Sequence, residues 1–345
     1  MAEPGAAATR EAFRDALVSL MEVDERLVCI DTDSGLFKDV DFGAAAERYV
    51  NIGIAEANLM GMAAGLAASG WIPFVNTMAG FAATRVLEHV KIDLAYNALP
   101  VRIAATHSGL SSGHFGPTHQ SLEDVAVMRT FPNMTVLVPA DAAQTASLVT
   151  QSAGLPGPVY LRLGRKATPP IEAEPPVLGR LQRLRSGDDA VLVAAGPLPV
   201  AAALEAAEAL GAEGICAAVY NAHTIKPFDG ETLAEAVADA GLVVTVEDHW
   251  RTGGLGSAVA ETLAELAPRR VLRVGVPDTF SKTVGGHEFL LRHHGVHAGA
   301  VTDCVLRELC GARVHSLRRD DDHDEQRRNK RDLDQRDLDL PRVRP

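Results

Sequence analysis

The sequence predicts an α/β protein built from two doubly wound domains, each a mainly parallel sheet covered by helices. Three observations lead there. Short apolar runs alternate with helical periodicity from near the start, a proline-rich break interrupts that alternation, and a second alternating series follows the break. Strand–helix alternation of this kind implies right-handed βαβ crossovers and parallel pairing.

The elements follow in order. Thr9 is the expected cap of a helix whose apolar face carries Phe13, Leu17 and Leu20. Leu27–Ile30 reads as a buried strand that ends in the polar turn Asp31–Ser34. Tyr49–Ile52 is the next predicted strand, and Ala55–Ala68 a helix of small residues. Ile72–Val75, Val101–Thr106, Thr135–Val138 and Val159–Leu163 continue the strands, with Asp141 as the cap of the helix before the last of them. Gly164–Pro176 contains Pro169, Pro170, Pro175 and Pro176 and reads as a connection. The second series has predicted strands at Ala190–Ala194, Ile215–Val219, Leu242–Val246 and Val271–Val274, a helix around Val200–Leu210 and a closing helix at Ala298–Leu309. Residues 9–166 and 187–312 are thus the expected domains, with 167–186 as linker. Residues 313–345, dense in Arg and Asp, lack the apolar content to offset ordering entropy and are expected to be a disordered tail.

Composition narrows the function classes. At 345 residues, 47% apolar and 23% charged, the chain has the make-up of a globular protein with a substantial core. A net charge of −12 argues against a broad nucleic-acid face, which needs clustered basic residues. Cys29, Cys216, Cys304 and Cys310 show no metal or disulfide spacing. Neither a signal peptide nor an apolar run long enough to span a membrane is visible, so a cytoplasmic location is expected.

Three segments carry candidate chemistry. In Gly53-Ile54-Ala55-Glu56-Ala57-Asn58 a strand yields to an apolar helix, and Glu56 falls in the first turn, where the helix dipole favours a carboxylate. A plain capping role fits equally well. The loop His107–Gln120 lies beyond the carboxyl end of a predicted strand, where open parallel sheets place ligands. Its histidines lack the spacing of a zinc site and fit hydrogen bonding to a polar substrate or a phosphate better. Gly253-Gly254-Leu255-Gly256 fails as a dinucleotide motif because a polar loop precedes it, and it reads as a tight turn into a helix.

Longer stretches carry a resemblance. NIGIAEANLMGMAAGLAASGWIPFV, GPTHQSLEDVAVMR, FPNMTVLVPAD and PVYLRLGR resemble the pyrimidine-binding domain of transketolases, while NAHTIKPFD, TVEDHWRTGGLGSAVAE and RVGVPDTF resemble the transketolase C-terminal domain. The match covers roughly residues 9–310. It implies that Glu56 hydrogen-bonds the aminopyrimidine of thiamine diphosphate and promotes the tautomer that accepts a proton from the thiazolium carbon. It implies that Phe74, Met78 and Phe81 pack around that ring, although core packing accounts for them too. Among substrate contacts it implies Ser34, His107, His114, Phe115, His119 and Arg165, with His107 and His119 catalytic and Arg165 binding phosphate through its planar fork.

Two departures from the family pattern qualify the resemblance. Phe115 stands where the family commonly has an Asp that meets a sugar hydroxyl, which points to a different or less hydroxylated substrate. The Gly-Asp-Gly motif that holds Mg²⁺ and the diphosphate in the family's other half is absent from this sequence. The chain therefore reads as the beta subunit of a split transketolase, moving a two-carbon ketol unit from a ketose phosphate to an aldehyde. Its alpha-type partner would hold the Mg²⁺ and share the cofactor, in an α2β2 assembly. Two alternatives stay open. One is a 2-oxo-acid dehydrogenase beta subunit or a 1-deoxyxylulose-5-phosphate-synthase-like enzyme, against which GPTHQ, HTIKP and the chain length weigh. The other is a non-catalytic scaffold.

Overall fold

The structure, a computed structural model, describes residues 6–310. The expected tail at 313–345 lies outside the described residues. In chain order the first half contains β1 (Ala7–Ala8), α1 (Thr9–Val23), β2 (Leu27–Asp31), β3 (Tyr49–Asn51), α2 (Glu56–Ala68), β4 (Ile72–Met78), α3 (Ala79–Ala83) and α4 (Leu87–His89). It continues with β5 (Arg102–Thr106), α5 (Asp124–Thr130), β6 (Thr135–Leu137), α6 (Ala142–Ala153) and β7 (Val159–Arg162). The second half holds β8 (Ala167–Thr168), β9 (Gln182–Arg185), β10 (Ala190–Ala195), α7 (Pro197–Ala212), β11 (Ala217–Asn221) and β12 (Thr224–Lys226). It ends with α8 (Gly230–Ala236), β13 (Leu242–Trp250), α9 (Leu255–Leu266), β14 (Arg270–Val276) and α10 (His287–His293). Residues 298–302 are also helical, as are 303–310, which fall in a separate unit. No helix among the described residues is long and apolar enough to cross a membrane.

Two large sheets organise these elements, beside the short antiparallel pair of β1 and β8. The larger has seven strands in the order β12-β6-β7-β5-β4-β2-β3, parallel except where β12 runs antiparallel to β6. The smaller has the order β14-β13-β10-β11-β9, parallel except at β9. The fold class expected from the alternation is the one observed. Every residue of β2, β5 and β7 is buried, as expected for strands covered on both faces.

Helix α1 docks through Phe13, Leu17 and Met21, all fully buried, each contributing about 1.5–3 kcal/mol of apolar burial. The i, i+4, i+8 row prevails over the predicted Leu20, which is half-buried. Asp141 caps α6 as expected, its carboxylate accepting the Gln144 amide at 2.8 Å. Thr9 is the first helical residue rather than the cap, and its hydroxyl accepts the Gly164 amide at 2.7 Å.

Strand β12 was not foreseen. Its segment follows β11 of the smaller sheet yet adds to the edge of the larger one. There the Lys226 ammonium donates to the carbonyls of Arg129 (3.0 Å) and Phe131, around the carboxyl end of α5. One apolar cluster runs through both sheets, joining Val136 and Val138 to Val191, Val193, Tyr220 and Leu233. The two sheets therefore share a core, and the loops at the carboxyl ends of the larger sheet lie within reach of residues on β13.

Candidate active site

Apart from Phe74, the predicted residues lie at or beyond the carboxyl ends of β2, β3, β4, β5 and β7 in the larger sheet. Glu56 is the first residue of α2 and is 3% exposed. Its Oε2 lies 2.7 Å from Nη1 of Arg85, whose own side chain is 46% exposed. Arg85 in turn lays its guanidinium over the Phe81 ring, 4.1 Å from the centroid, a cation–π arrangement. Phe81 meets the His119 ring edge-on at 5.3 Å, and His119 lies 5.0 Å from the ring of Phe115. The Arg165 guanidinium is 6.0 Å from the Phe115 centroid. Glu56, Arg85, Phe81, His119, Phe115 and Arg165 thus form one chain of contacts across the surface.

His107 follows β5 and has a left-handed backbone, φ 59°. Its Nε2 lies 3.3 Å from Nη1 of Arg10, and its Nδ1 lies 3.0 Å from the Thr106 hydroxyl. An arginine only donates, so Nε2 accepts and the ring proton sits on Nδ1, directed at Thr106. The imidazole is therefore neutral. Burial, then the charges of Arg10, Arg165 and His119, push its pKa down to about 4. Arg10 in contact with His107, and Arg165 close enough for its charge to be felt by both, make this end of the site cationic and suited to an anionic substrate group.

Ser34 belongs to a polar knot at the ends of β2 and β4. Its hydroxyl donates to Asp31 at 3.0 Å and accepts from the Asn76 amide at 2.6 Å, while the same amide reaches Asp31 at 2.6 Å. His114 and Phe115 are exposed on the turn Gly113–Phe115. Met78, half-buried, ends β4 and precedes α3, beside Phe81 in sequence.

Phe74 is a correction. It lies mid-strand, four residues before the end of β4, and is fully buried against Phe13, ring centroids 6.3 Å apart. Ligands of open parallel sheets sit beyond strand ends, so Phe74 is core packing and offers no face to a cofactor.

Residue types and placement fit the pyrimidine end of a thiamine cofactor. A buried carboxylate at a helix start can hydrogen-bond a ring nitrogen, and the half-buried Phe81 and Met78 supply apolar surface. Among the described residues, the grouping with metal-ligand spacing is Asp188, Asp189 and Cys216, at the amino ends of β10 and β11. There Asp189 already accepts the Cys216 amide at 2.7 Å. The Gly253–Gly256 turn opens α9 as expected. Its helix amides at Leu255 and Gly256 are taken by the Glu247 carboxylate at 2.7 and 2.9 Å, so the protein's own anion fills the place a phosphate would need.

Fold and site together define an α/β protein of the transketolase type. The description "Transketolase, pyrimidine binding domain" matches residues 5–170, and "Transketolase, C-terminal domain" matches residues 179–301. The 6-deoxy-6-sulfo-D-fructose transketolase subunit SqwH of Clostridium sp. (strain MSTE9) is 41% identical over 293 residues, covering 84% of this chain and 90% of that protein. An apulose-4-phosphate transketolase subunit of Phocaeicola vulgatus (strain ATCC 8482) is 40% identical over 304 residues, covering 87% and 96%. A solved structure described as a split gene transketolase, inactive beta4 tetramer, superposes with a TM-score of 0.82 at 44% identity, covering 88% of this chain and 98% of that one. The chain belongs to the transketolase family, among its split, beta-type subunits.

Two arginines of this site escaped the sequence reading. Arg85 stands four residues after Phe81, in the turn that follows α3, where its amide donates to the Phe81 carbonyl at 3.0 Å and the i, i+4 spacing brings the two side chains together. Arg10 is 97 residues from His107 and has no local signal at all.

Proposed function

We propose that this chain is the subunit of a split, thiamine-diphosphate-dependent transketolase that supplies the pyrimidine-facing wall and much of the substrate pocket. It works with an alpha-type partner that holds Mg²⁺ and the diphosphate, in an α2β2 assembly, and the reaction moves a two-carbon ketol unit from a ketose phosphate to an aldehyde. The domain division at 9–166 and 187–312 belongs to the same reading, with β9, which pairs with β11, moved from the expected linker into the second domain. Bound thiamine diphosphate would supply the carbon nucleophile and the electron sink. Glu56 would hydrogen-bond the pyrimidine ring nitrogen and hold the proton there, with Arg85 orienting the carboxylate. Phe81 and Met78 would exclude water from one face of that ring. Neutral His107 would accept a hydrogen bond from a substrate hydroxyl at Nε2, in place of Arg10, and His119, set between Phe81 and Phe115, would contact the same group. Arg10 and Arg165 would seat the anionic end of the substrate. The names of two relatives, which specify a sulfo-sugar and a sugar phosphate, favour such an end.

The observation that carries this reading is the unbroken contact chain from Glu56 to Arg165, an acid at one end and a cationic pocket at the other. The test is cofactor binding and ketol transfer by the chain alone and then with an alpha-type partner, in Mg²⁺. Turnover that appears only on mixing supports it. Turnover by the isolated chain would overturn the shared-site part, and inactivity of the mixture across phosphorylated and sulfonated ketose donors would overturn the activity.

A further inference from the structure

We infer that Asp248, on β13 of the smaller sheet, is a positioning residue for the substrate loop His107–Gln120, acting together with His287. The inference rests on the transketolase reading only for its kinetic consequence; the anchoring itself is geometric. Both carboxylate oxygens of Asp248 accept the main-chain N–H of Leu110, at 3.1 and 3.2 Å. The contact spans 138 positions of sequence, so no local folding preference produces it. On its other side Oδ2 lies 2.7 Å from Nε2 of His287, the first residue of α10. The Asp248 carbonyl accepts from Arg162 at 2.8 Å, and Arg162 is itself paired with Asp124 at 2.8 Å.

The fit leaves no slack on the loop side. Gly109 sits at φ +59°, and a Cβ there would lie 1.9 Å from Asp248 Oδ2. Only glycine lets the loop backbone come this close in this conformation. Burial disfavours the charge on Asp248, but His287 and Arg162 outweigh it and hold the carboxyl below its ordinary range, so the anchor is an anion. A charged acceptor on a main-chain amide makes one of the stronger hydrogen bonds available to a protein. The loop is pinned nearby at two further points, by the bridge between Gly109 and Ser121 and by the Trp250 amide on the Leu122 carbonyl at 3.0 Å. The catalytic candidates His107 and His119 lie on this loop, one on each side of the pinned stretch. The second sheet thereby gains a role in the chemistry without touching substrate: it fixes the loop that does.

The test compares Asp248→Ala, Asp248→Asn, Gly109→Ala and the Asp248→Ala/Gly109→Ala double variant. Amide hydrogen exchange at Leu110 in the full chain reads the anchor, and kcat/KM of the reconstituted complex reads its use. Asp248→Ala is expected to speed Leu110 exchange at least tenfold and to lower kcat/KM by about 10²-fold, the scale of a misplaced reacting group. Affinity for thiamine diphosphate should stay within about twofold, because Glu56 lies outside the loop. Asp248→Asn retains one acceptor and should recover most of the protection. Gly109→Ala should cost less in the Asp248→Ala background than alone, since the clash is gone. Unchanged Leu110 exchange in a folded Asp248→Ala chain would overturn the anchor, and so would unchanged exchange in Gly109→Ala, whose added Cβ must displace the Asp248 carboxylate. So would faster exchange spread evenly over both sheets, which marks a general loss of stability. A loosened loop with unchanged kcat/KM in an active complex would overturn the positioning role. If even the wild-type mixture lacks ketol transfer, the functional reading fails while the exchange arm still decides the anchor.

Discussion

The two ends of the substrate loop's surroundings are built in opposite ways. Around Asp124, Arg162 and Asp248 every charge is buried and answered from within the chain: Asp124 Oδ2 takes both the Tyr160 hydroxyl and Arg162 Nε at 2.8 Å, and Arg162 also donates to the carbonyls of Ser121 and Asp248. Around Glu56 the carboxylate is buried, but its partner Arg85 is 46% exposed, and Ile54 next to it is 76% exposed. Phe115 at the far end of the same surface is 53% exposed. A buried pair held through Asp124 Oδ2 by both Tyr160 and Arg162 sets geometry, whereas a buried acid beside a half-exposed arginine and an open apolar rim has room for a ligand. The comparison separates residues that hold the loop from residues that, on the proposed reading, await a ligand and a partner.

Substitutions should split along that line. Glu56→Gln keeps the shape of the side chain and removes its acid function. In the reconstituted complex turnover should fall by about 10²–10⁴-fold, the usual cost of a lost acid–base group. Chain stability should shift by no more than about 1 kcal/mol, because the pair with the half-exposed Arg85 is screened by water. Turnover near wild type would remove Glu56 from the chemistry and leave it the ion-pair partner of Arg85.

Asp124→Ala is the opposite case. It strands the guanidinium of Arg162, which is only 6% exposed, and frees the Tyr160 hydroxyl. Breaking one side of a buried pair costs about 3–5 kcal/mol, and denaturant unfolding of the isolated chain should show it. A loss below about 1 kcal/mol would mean that the closed end is less constrained than its hydrogen bonds indicate.

Much of this was legible in the sequence, and the reasons are specific. The strand–helix alternation is a local pattern, so the fold class could be read, and Asp141 announced its helix by residue type. Glu56 stood at a strand-to-helix junction, and the loop histidines lay where parallel sheets bind ligands. Phe74 misled because an aromatic near a site looks the same whether it faces a ligand or the core. Only its mid-strand position, set by the register with Arg102, decides. Arg10, Asp248 and β12 were invisible for one shared reason: each acts on a segment far off in the chain. Arg85 is different, since its spacing from Phe81 was available to be read.

The smallest expected effect sets apart two histidines with the same depressed pKa. His107 and His223 are both pushed down to about 4, His223 by burial alone and His107 by burial together with the charges of Arg10, Arg165 and His119. For both, the unfolded chain binds its proton near 6.5 and the folded chain only near 4. Stability from each is therefore complete above about pH 6.5 and is lost as pH falls towards 4. His107→Gln and His223→Gln should each flatten that acid-side fall in unfolding free energy. Inorganic phosphate then distinguishes them. An anion between Arg10 and Arg165 offsets their share of the shift, so the His107 imidazole should titrate at a higher pH with phosphate present, while His223 stays put. Imidazole NMR titrations with and without phosphate measure this directly. Equal movement of both resonances, or of neither, would mean that phosphate does not seat between the arginines, and the cationic pocket would lose its role at the open end.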